Sequence, residues 1–316
     1  MYFFFRDYTD NVPGLVIVKK SRNFYNSIDS KHTILEIDNV LQLYLKLIYV
    51  RYEKIFTPTP HPLPFLKAQF IVFHDLFPFK ISFWGVIKII LLNLAALSTK
   101  LHICHINKSM LSELKKLLRM GKQSYVYMPN RLPEIANAVN DELEILKDHK
   151  LERLIIGLIG TDSSKKNYDT FLPLIFKELG QNVKVRIYGN LNPYIINILS
   201  TFKAYKIELV VPDQADLVNF LKENDCVCSV STDEGFARPL AMSLIMGIEV
   251  HVVDCAVYNE FYKGMAMFHD NPQELVGYLK QRKGPLEKNP KLILEFVEKM
   301  NSDYNISKVR LFEAVS

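Results

Sequence analysis

The segment STDEGFARPLAMSLIMG, residues 231–247, carries the most informative set of polar residues in the chain. A strand-like apolar run ends at Ser231, the first residue of this segment, and Glu234 follows three residues later. Pro239 then begins a run in which the apolar residues have the spacing of a helix. In that setting residues 234–237 form a turn at a helix N-terminus, where free backbone N–H groups and the positive end of the helix dipole bind phosphate or sugar oxygens. The carboxylate of Glu234 would accept hydrogen bonds from sugar hydroxyls. A purely structural strand–turn–helix is the alternative that the pattern leaves open.

Two further segments place polar side chains directly after strand-like runs. GTDSSKKN contains Lys165 and Lys166, and the compact positive charge of a lysine suits an anion such as a diphosphate. FIVFHDLFP ends an apolar strand with His74 and Asp75, at the edge of an α/β sheet where ligands bind. A solvated lysine pair and a hydrogen-bonded core histidine are the respective structural alternatives.

Apolar runs alternate with helix-like stretches along the chain, which is typical of parallel α/β sheets. The predicted strands are residues 2–5, 32–37, 53–59, 69–75, 100–106, 153–160, 183–189, 207–210, 226–231 and 250–254. Residues 15–27 are predicted to form a helix. The expected fold class is therefore α/β, with two Rossmann-like parallel-sheet domains that face each other across a cleft. The expected domains are residues 1–135 and 136–316, with a return of the last helix to the first domain left open.

Length and composition agree with this organisation. The chain has 316 residues, which suits two domains of about 150 residues each. Hydrophobic residues make up 49% and charged residues 23%, which excludes a disordered or low-complexity chain. Four cysteines exclude a disulfide scaffold, and Cys226 and Cys228 are expected to be reduced core residues of a cytosolic protein. Because charge appears at Arg6, no signal peptide is expected.

The positive charge of the chain is concentrated in its first half. The net charge is +5, but residues 1–150 contain 20 Lys or Arg and 13 Asp or Glu, which gives +7. No nucleic-acid-binding signature accompanies this charge, so an anionic membrane surface explains it at least as well. Residues 81–97 are nearly apolar and are interpreted as a buried domain helix in preference to an interfacial one. Residues 111–122 are interpreted as a packed surface helix, with a basic lipid-docking face as the alternative.

Taken in order, these segments resemble those of the retaining, two-domain (GT-B) glycosyltransferases of family 4. The family's donor-site signature E-G-F-G-x-P-x-x-E-A-M-x-x-G is matched by E-G-F-A-R-P-L-A-M-S-L-I-M-G at 234–247, and its diphosphate loop G-T-L-E-P-R-K-N by G-T-D-S-S-K-K-N at 160–167. Its strand V-H-D-L-x-P is matched by F-H-D-L-F-P at 73–78. Three shorter matches complete the series: NVPGLVI at 11–17, YVYMPN at 125–130 and NPQEL at 271–275. The resemblance covers nearly the whole chain.

The resemblance implies a role for individual residues. It implies that His74, Lys166 and Glu234 are catalytic and that Asp75 contacts the acceptor. In the family, the lysine neutralises the leaving diphosphate and the glutamate contacts the donor sugar. The residues that it implies for donor binding are Gly14, Lys165, Lys166, Glu234, Gly235, Phe236, Ala237 and Met242.

The function that the resemblance implies is transfer of a hexose or deoxyhexose from a nucleotide diphosphate sugar to a lipid-linked glycan acceptor. It implies a hexosyltransferase of cell-surface polysaccharide biosynthesis, such as O-antigen or capsule, that needs neither a metal nor another cofactor. The expected partners are the nucleotide sugar, the glycan acceptor and an anionic membrane surface, with no nucleic acid. The expected location is cytoplasmic, peripheral on the inner face of the cytoplasmic membrane.

The sequence departs from the family pattern at several positions. Met242 stands where the second glutamate of the family signature holds the ribose, and losing that charged hydrogen bond costs about 1–3 kcal/mol of binding. Ala237 stands where the signature has glycine, and Thr161 replaces a common arginine. The alternative function is therefore a catalytically inactive relative that serves as a partner subunit or glycan-binding module.

Overall fold

The computed structural model describes most of the chain. The described residues are 15–20, 33–37, 42, 45, 46, 53–58, 60–76, 79, 82–118, 121, 123–132, 153–161, 164–212, 216–231, 233–282 and 290–315. Contacts between residues divide the chain into two units, of which one holds residues 1–132 and 298–316 and the other holds residues 133–297.

The first unit is built on a six-stranded sheet in which all the paired strands are parallel. The strands are β1 (Leu15–Lys20), β2 (Thr33–Ile37), β3 (Lys54–Thr57), β4 (Ala68–Phe73), β5 (Lys100–His105) and β6 (Ser124–Tyr127). Their order across the sheet is β2-β1-β3-β4-β5-β6. Every residue of β4 is buried, as expected for an apolar strand covered on both faces.

The prediction of a helix over residues 15–27 is wrong where the structure describes that segment, because Leu15–Lys20 is strand β1. The sequence LVIVKK is rich in branched aliphatic side chains, which favour a strand between two parallel neighbours. Strand β6 was not among the predicted strands. The predicted strand at residues 2–5 lies outside the described residues.

The second unit contains a second six-stranded sheet, again with parallel pairing throughout. Its strands are β7 (Leu154–Ile159), β8 (Val183–Tyr188), β9 (Ile207–Val210), β10 (Cys226–Ser229), β11 (Glu249–Val253) and β12 (Met267–His269). The order is β12-β11-β10-β7-β8-β9. Numbered within the unit, this is the order 3-2-1-4-5-6 of the doubly wound nucleotide-binding sheet. The expected fold class is confirmed, with two parallel α/β sheets.

Helices connect and cover the strands. In the first unit they are α1 (Phe83–Ser98) and α2 (Leu111–Leu117). In the second they are α3 (Tyr168–Leu179), α4 (Pro193–Thr201), α5 (Leu217–Lys222), α6 (Arg238–Ile245), α7 (Ala256–Tyr262) and α8 (Pro272–Gln281). The final helix, α9 (Pro290–Val315), supplies residues to both units. Within the described ranges, no helix combines the length and the hydropathy needed to cross a bilayer.

The interpretation of residues 81–97 as a buried helix is wrong for the outer half of α1. Only Gly85, Leu92, Ala95 and Ala96 of this helix are buried. Its bulkiest side chains, among them Trp84, are exposed. The apolar run by itself could not show this, because a helix that is apolar on every side has no face that marks the outside.

A buried histidine makes the stability of the first unit sensitive to acid. The ring of His102 in β5 stacks on Phe70 at a centroid distance of 4.3 Å and lies 2.6 Å, through Nδ1, from the Ser124 hydroxyl. Burial, together with the nearby charges of Lys100 and Lys54, lowers the pKa of His102 to about 4.

We expect His102 to contribute to acid unfolding. Because the pKa is lowered by folding, the unfolded chain binds this proton first, and stability is lost as the pH falls from about 6.5 towards about 4. Between pH 7 and pH 4 the wild-type chain should lose about 3 kcal/mol more free energy of unfolding than His102→Gln. Urea unfolding at both pH values measures this difference, and equal losses in the two proteins would contradict it.

Candidate functional site

Two adjacent strands at the centre of the second sheet bring the candidate residues together. Strands β7 and β10 pair directly, with Leu158 opposite Cys228. They are the first and fourth strands of their unit, so the strand order reverses between them. Such a switch point opens a crevice at the carboxyl ends of the two strands, which is where doubly wound sheets bind nucleotides. The segment that contains Lys166 follows β7, and the segment that contains Glu234 follows β10.

The segment after β7 is fixed by hydrogen bonds to its backbone. Gly160 has a φ of 96°, and the hydroxyl of Tyr168 donates to its carbonyl oxygen at 2.7 Å. The hydroxyl of Thr161 donates to the carbonyl oxygen of Asn190 at 2.7 Å. A short 3₁₀ turn over Ser164–Lys166 then leads into α3. These contacts hold the start and the end of the lysine-bearing segment.

Ser231 joins the two segments at their backbones. It lies just after β10 and is buried. Its hydroxyl lies 3.1 Å from the carbonyl oxygen of Lys165 and 3.3 Å from that of Asp233. One hydroxyl therefore has a backbone acceptor on each side of the switch point.

The side chains of Lys166 and Glu234 form an ion pair at this place. Lys166 Nζ donates to Glu234 Oε1 at 2.7 Å. The two side chains are only 14% and 10% exposed. A cation and a carboxylate held in contact with limited access to water interact more strongly than a surface pair, and each fixes the position of the other.

The turn after Glu234 leads directly into α6. Gly235 and Phe236 are buried, and the ring of Phe236 packs edge-on against the ring of Phe261, with 4.7 Å between the ring centroids. Ala237 has a φ of 54°, a left-handed conformation that costs a residue with a side chain about 1 kcal/mol relative to glycine. Pro239 lies in the first turn of α6. The turn therefore presents a helix N-terminus beside the ion pair, the arrangement that binds anions.

Tyr262, at the end of α7, stabilises this turn by hydrogen bonds to its backbone. Its buried hydroxyl donates to the carbonyl oxygens of Phe236 and of Ala237, the latter at 3.2 Å. Burial, and in addition the negative charge of Glu234, raise the pKa of Tyr262 well above its ordinary value. The hydroxyl therefore stays protonated, and remains a donor, at neutral pH.

We expect Tyr262→Phe to destabilise the second unit. The substitution removes the buried donor to the Phe236 carbonyl oxygen, while the Ala237 carbonyl oxygen still accepts from the N–H of Leu240 at 2.8 Å. The loss should lower the free energy of unfolding by about 1–3 kcal/mol. Urea unfolding measures the change. Tyr205→Phe is the control, because the more exposed Tyr205 should give a change within about 0.5 kcal/mol. Equal effects of the two substitutions would contradict this role of Tyr262.

The candidate residues of the first unit lie at the carboxyl end of β4. His74 follows the strand directly, and its Nε2 donates to the carbonyl oxygen of Pro58 at 2.9 Å. Pro58 follows β3, the neighbour of β4, so this bond links the ends of two adjacent strands. Asp75 is half-buried beside His74. Gly14 lies outside the described residues.

Comparison with known proteins identifies the architecture. No protein-family model and no curated protein matches the sequence. Solved structures do match, among them WaaG, a glycosyltransferase involved in lipopolysaccharide biosynthesis, at 12% identity and a TM-score of 0.60 over 95% of this chain and 98% of that one. Alr3699/HepE from Anabaena, solved in complex with UDP and glucose, matches at 12% identity and a TM-score of 0.60 over 96% and 98%. Trehalose-6-phosphate synthase, OtsA, matches at 11% identity and a TM-score of 0.58 over 87% and 74%.

The chain has the GT-B fold. At these identities the likeness establishes the fold alone. Among the residues that the structure describes, no group of three or more His, Cys, Asp or Glu is arranged to hold a metal ion.

The structure also places two other predicted donor-binding residues, Met242 and Lys165. Met242 is half-buried on α6, one turn beyond its start. Lys165 is half-buried in the 3₁₀ turn next to Lys166, and its carbonyl oxygen faces Ser231.

Sequence reasoning missed two residues that build this site. The sequence places Ser231 at the end of a predicted strand, and no pattern in it points to Tyr262. Tyr262 lies 25 residues beyond Ala237, and no spacing rule connects a tyrosine at the end of one helix to the start of another. Only the fold places them together.

Proposed function

We propose that this chain is a glycosyltransferase that takes a sugar from a nucleotide diphosphate sugar and passes it to a glycan acceptor. The observation that carries the proposal is the ion pair between Lys166 and Glu234, at 2.7 Å, at the switch point of a sheet with the doubly wound strand order. A diphosphate sugar presents an anion and a set of hydroxyls side by side, and this pair presents a cation and a carboxylate side by side. Alr3699/HepE, which shares the fold, has been solved with UDP and glucose.

Lys166 would act on the leaving group. Transfer breaks the bond between C1 of the sugar and the diphosphate oxygen and forms a bond from C1 to an acceptor hydroxyl oxygen, whose proton passes to the departing diphosphate. Negative charge develops on that diphosphate as the bond to C1 breaks. A positioned ammonium group and the N–H groups at the start of α6 stabilise that charge more in the transition state than in the bound substrate. Lys165 would add to the positive charge in the same segment. We propose that this supply of charge serves the reaction without a metal.

Glu234 and the turn after it would hold the sugar. The carboxylate would accept hydrogen bonds from sugar hydroxyls, and the backbone of Gly235, Phe236 and Ala237 would contact phosphate or sugar oxygens. In the protein without substrate, Lys166 and Glu234 neutralise each other. The two side chains are therefore already oriented before the donor arrives, which lowers the cost of organising the site.

The acceptor side of the proposal rests on the first unit. We propose that His74 lies near the transferred sugar, that Asp75 contacts the acceptor and that Gly14 lies near the donor phosphate. The transferred group would be a hexose or deoxyhexose, moved with retention of configuration to a lipid-linked glycan. The setting would be cell-surface polysaccharide synthesis, such as O-antigen or capsule, on the inner face of the cytoplasmic membrane. The net charge of +7 over residues 1–150 supports an anionic acceptor surface.

The alternative is a GT-B protein that no longer transfers sugar and acts as a partner subunit or glycan-binding module. Met242 favours it, because a thioether in place of a carboxylate cannot accept a charged hydrogen bond from the ribose. Ala237 favours it as well, since the left-handed turn is held here at a cost that glycine would avoid.

A donor screen tests the proposed function. The purified chain is incubated with UDP-, GDP- and dTDP-sugars and extracted membrane lipids as acceptors, and glycolipid products are identified by mass spectrometry. The proposal predicts transfer from one class of donor. No product from any donor, together with binding of glycans alone, would favour the alternative.

A further inference from the structure

The outward face of α1 is apolar over its whole length. Phe83, Val86, Ile90, Leu94 and Leu97 follow the three- and four-residue spacing of one helix face, and all five are exposed. Trp84 and Leu91, at the border of this face, are exposed as well. We call these seven residues the α1 face. A surface helix normally places charged residues here, and contiguous exposed apolar patches mark interaction sites.

The packing of α1 fixes this orientation. The buried residues of the helix are three small ones and one leucine: Gly85, Ala95, Ala96 and Leu92. On the side towards α2, the amide of Asn93 donates to the carbonyl oxygen of Leu117 at 3.0 Å. At the start of the helix, the Ser82 hydroxyl accepts from the N–H of Gly85 at 3.0 Å. The helix is therefore anchored with its small residues inward and its bulky ones outward.

A third exposed aromatic residue lies beside the end of α1. The N–H of Phe65 donates to the hydroxyl of Ser98, the last residue of the helix, at 2.9 Å. Phe65 is 76% exposed and has a φ of 63°, which is a strained conformation for a bulky residue. The apolar surface therefore has aromatic rings at both ends, the composition that suits the boundary between lipid and water.

The segment that contains this surface is rich in basic residues. Residues 76–124, which include α1 and α2, contain eight Lys or Arg and a single acidic residue, Glu113. On α2, Lys115 and Lys116 are exposed. Lys116 lines a groove with Leu94 and Leu97 of the α1 face, and its Nζ lies 2.6 Å from Glu113. Eight basic residues and one acidic residue give residues 76–124 a net charge of +7, so the excess charge of the first 150 residues falls in the segment that contains α1 and α2.

We propose that the α1 face docks on an anionic lipid bilayer, with α1 lying in the plane of the interface. The apolar side chains enter the boundary of the acyl chains, and the basic residues around them meet anionic headgroups. Charge favours lipid over a second copy of the chain, because two such basic segments would repel each other. The inference does not use the donor site, so it stands or falls independently of sugar transfer.

The only tryptophan of the chain, Trp84, makes the test direct. The full chain is mixed, without sugar nucleotide, with vesicles of phosphatidylcholine or of equal parts phosphatidylcholine and phosphatidylglycerol. Flotation and tryptophan emission are then recorded. We expect flotation with the anionic vesicles only, together with a shift of the emission to shorter wavelength as Trp84, which is 69% exposed, leaves water.

Two variants complete the test. Leu94→Asp should weaken binding to the anionic vesicles by about tenfold or more, because it removes an apolar contact and adds a repelled charge. Ile196→Asp, which changes an exposed apolar residue of α4 in the other unit, should bind as the wild type does. Circular dichroism confirms that both variants fold. Absence of flotation, or flotation with unchanged emission, would overturn the proposal, as would a dimer in light scattering that Leu94→Asp dissociates while vesicles are not bound.

Discussion

Replacing Lys166 with Ala should lower the rate of sugar transfer by about 100- to 1,000-fold, the loss seen when one positioned donor to a developing anion is removed. The ammonium group of Lys166 lies 2.7 Å from Glu234 and its side chain is only 14% exposed, so its charge acts through a medium of low dielectric constant. The rate constant kcat, measured with saturating donor from the screen, is the quantity to compare.

Lys177→Ala is the matched control for this prediction. Lys177 is an exposed lysine of α3, the helix that follows the Lys166 turn, so the same charge is removed without touching the ion pair. This variant should keep the wild-type rate within about twofold. Transfer by Lys166→Ala at the rate of the control would mean that Lys166 does not act on the leaving group.

The pairing of Lys166 with Glu234 should be visible in the free protein as a coupling energy of about 2 kcal/mol. Either Lys166→Met or Glu234→Gln alone leaves one charge without its partner in a site that is 10–14% exposed, and should cost about 2–3 kcal/mol of unfolding free energy. The double variant removes both charges, so its cost should be well below the sum of the two. Urea unfolding of the four proteins gives the coupling.

An exposed ion pair provides the comparison for this cycle. Lys280 and Glu178 also meet, at 2.9 Å, but their side chains are 56% and 36% exposed. The corresponding cycle should give a coupling of about 0–1 kcal/mol. If the effect of the Lys166 and Glu234 double variant equals the sum of the two single effects to within about 0.5 kcal/mol, the pair is no stronger than a surface contact.

The sequence was sufficient to predict the parallel sheets. Most strands are short apolar runs bounded by polar turns. Such a run indicates a buried strand and not a loop, because a loop would expose its apolar side chains to water. The segment at residues 15–27 shows the limit, because LVIVKK fits either a short strand or the start of a helix until its neighbours are known. Its pairing with both β2 and β3 decides for the strand.

The candidate site was predictable in part. The segments that contain Lys166 and Glu234 could be picked out because each follows a strand and carries charge next to small residues. Their contact depends on the strand order of the sheet, which places β7 beside β10 although Lys166 and Glu234 are 68 positions apart along the chain. The supports from Ser231 and Tyr262 are tertiary contacts that no local pattern encodes, and the exposure of the α1 face depends on which small residues pack against the sheet.

Isothermal titration calorimetry with UDP, GDP and dTDP tests the central claim most directly, because it asks whether the crevice between β7 and β10 binds a nucleoside diphosphate through Lys166. The account predicts that at least one of the three binds, that Lys166→Ala weakens this binding by about tenfold or more, and that Lys177→Ala leaves it unchanged. No binding of any of them at millimolar concentration, or equal binding by wild type and Lys166→Ala, would contradict it.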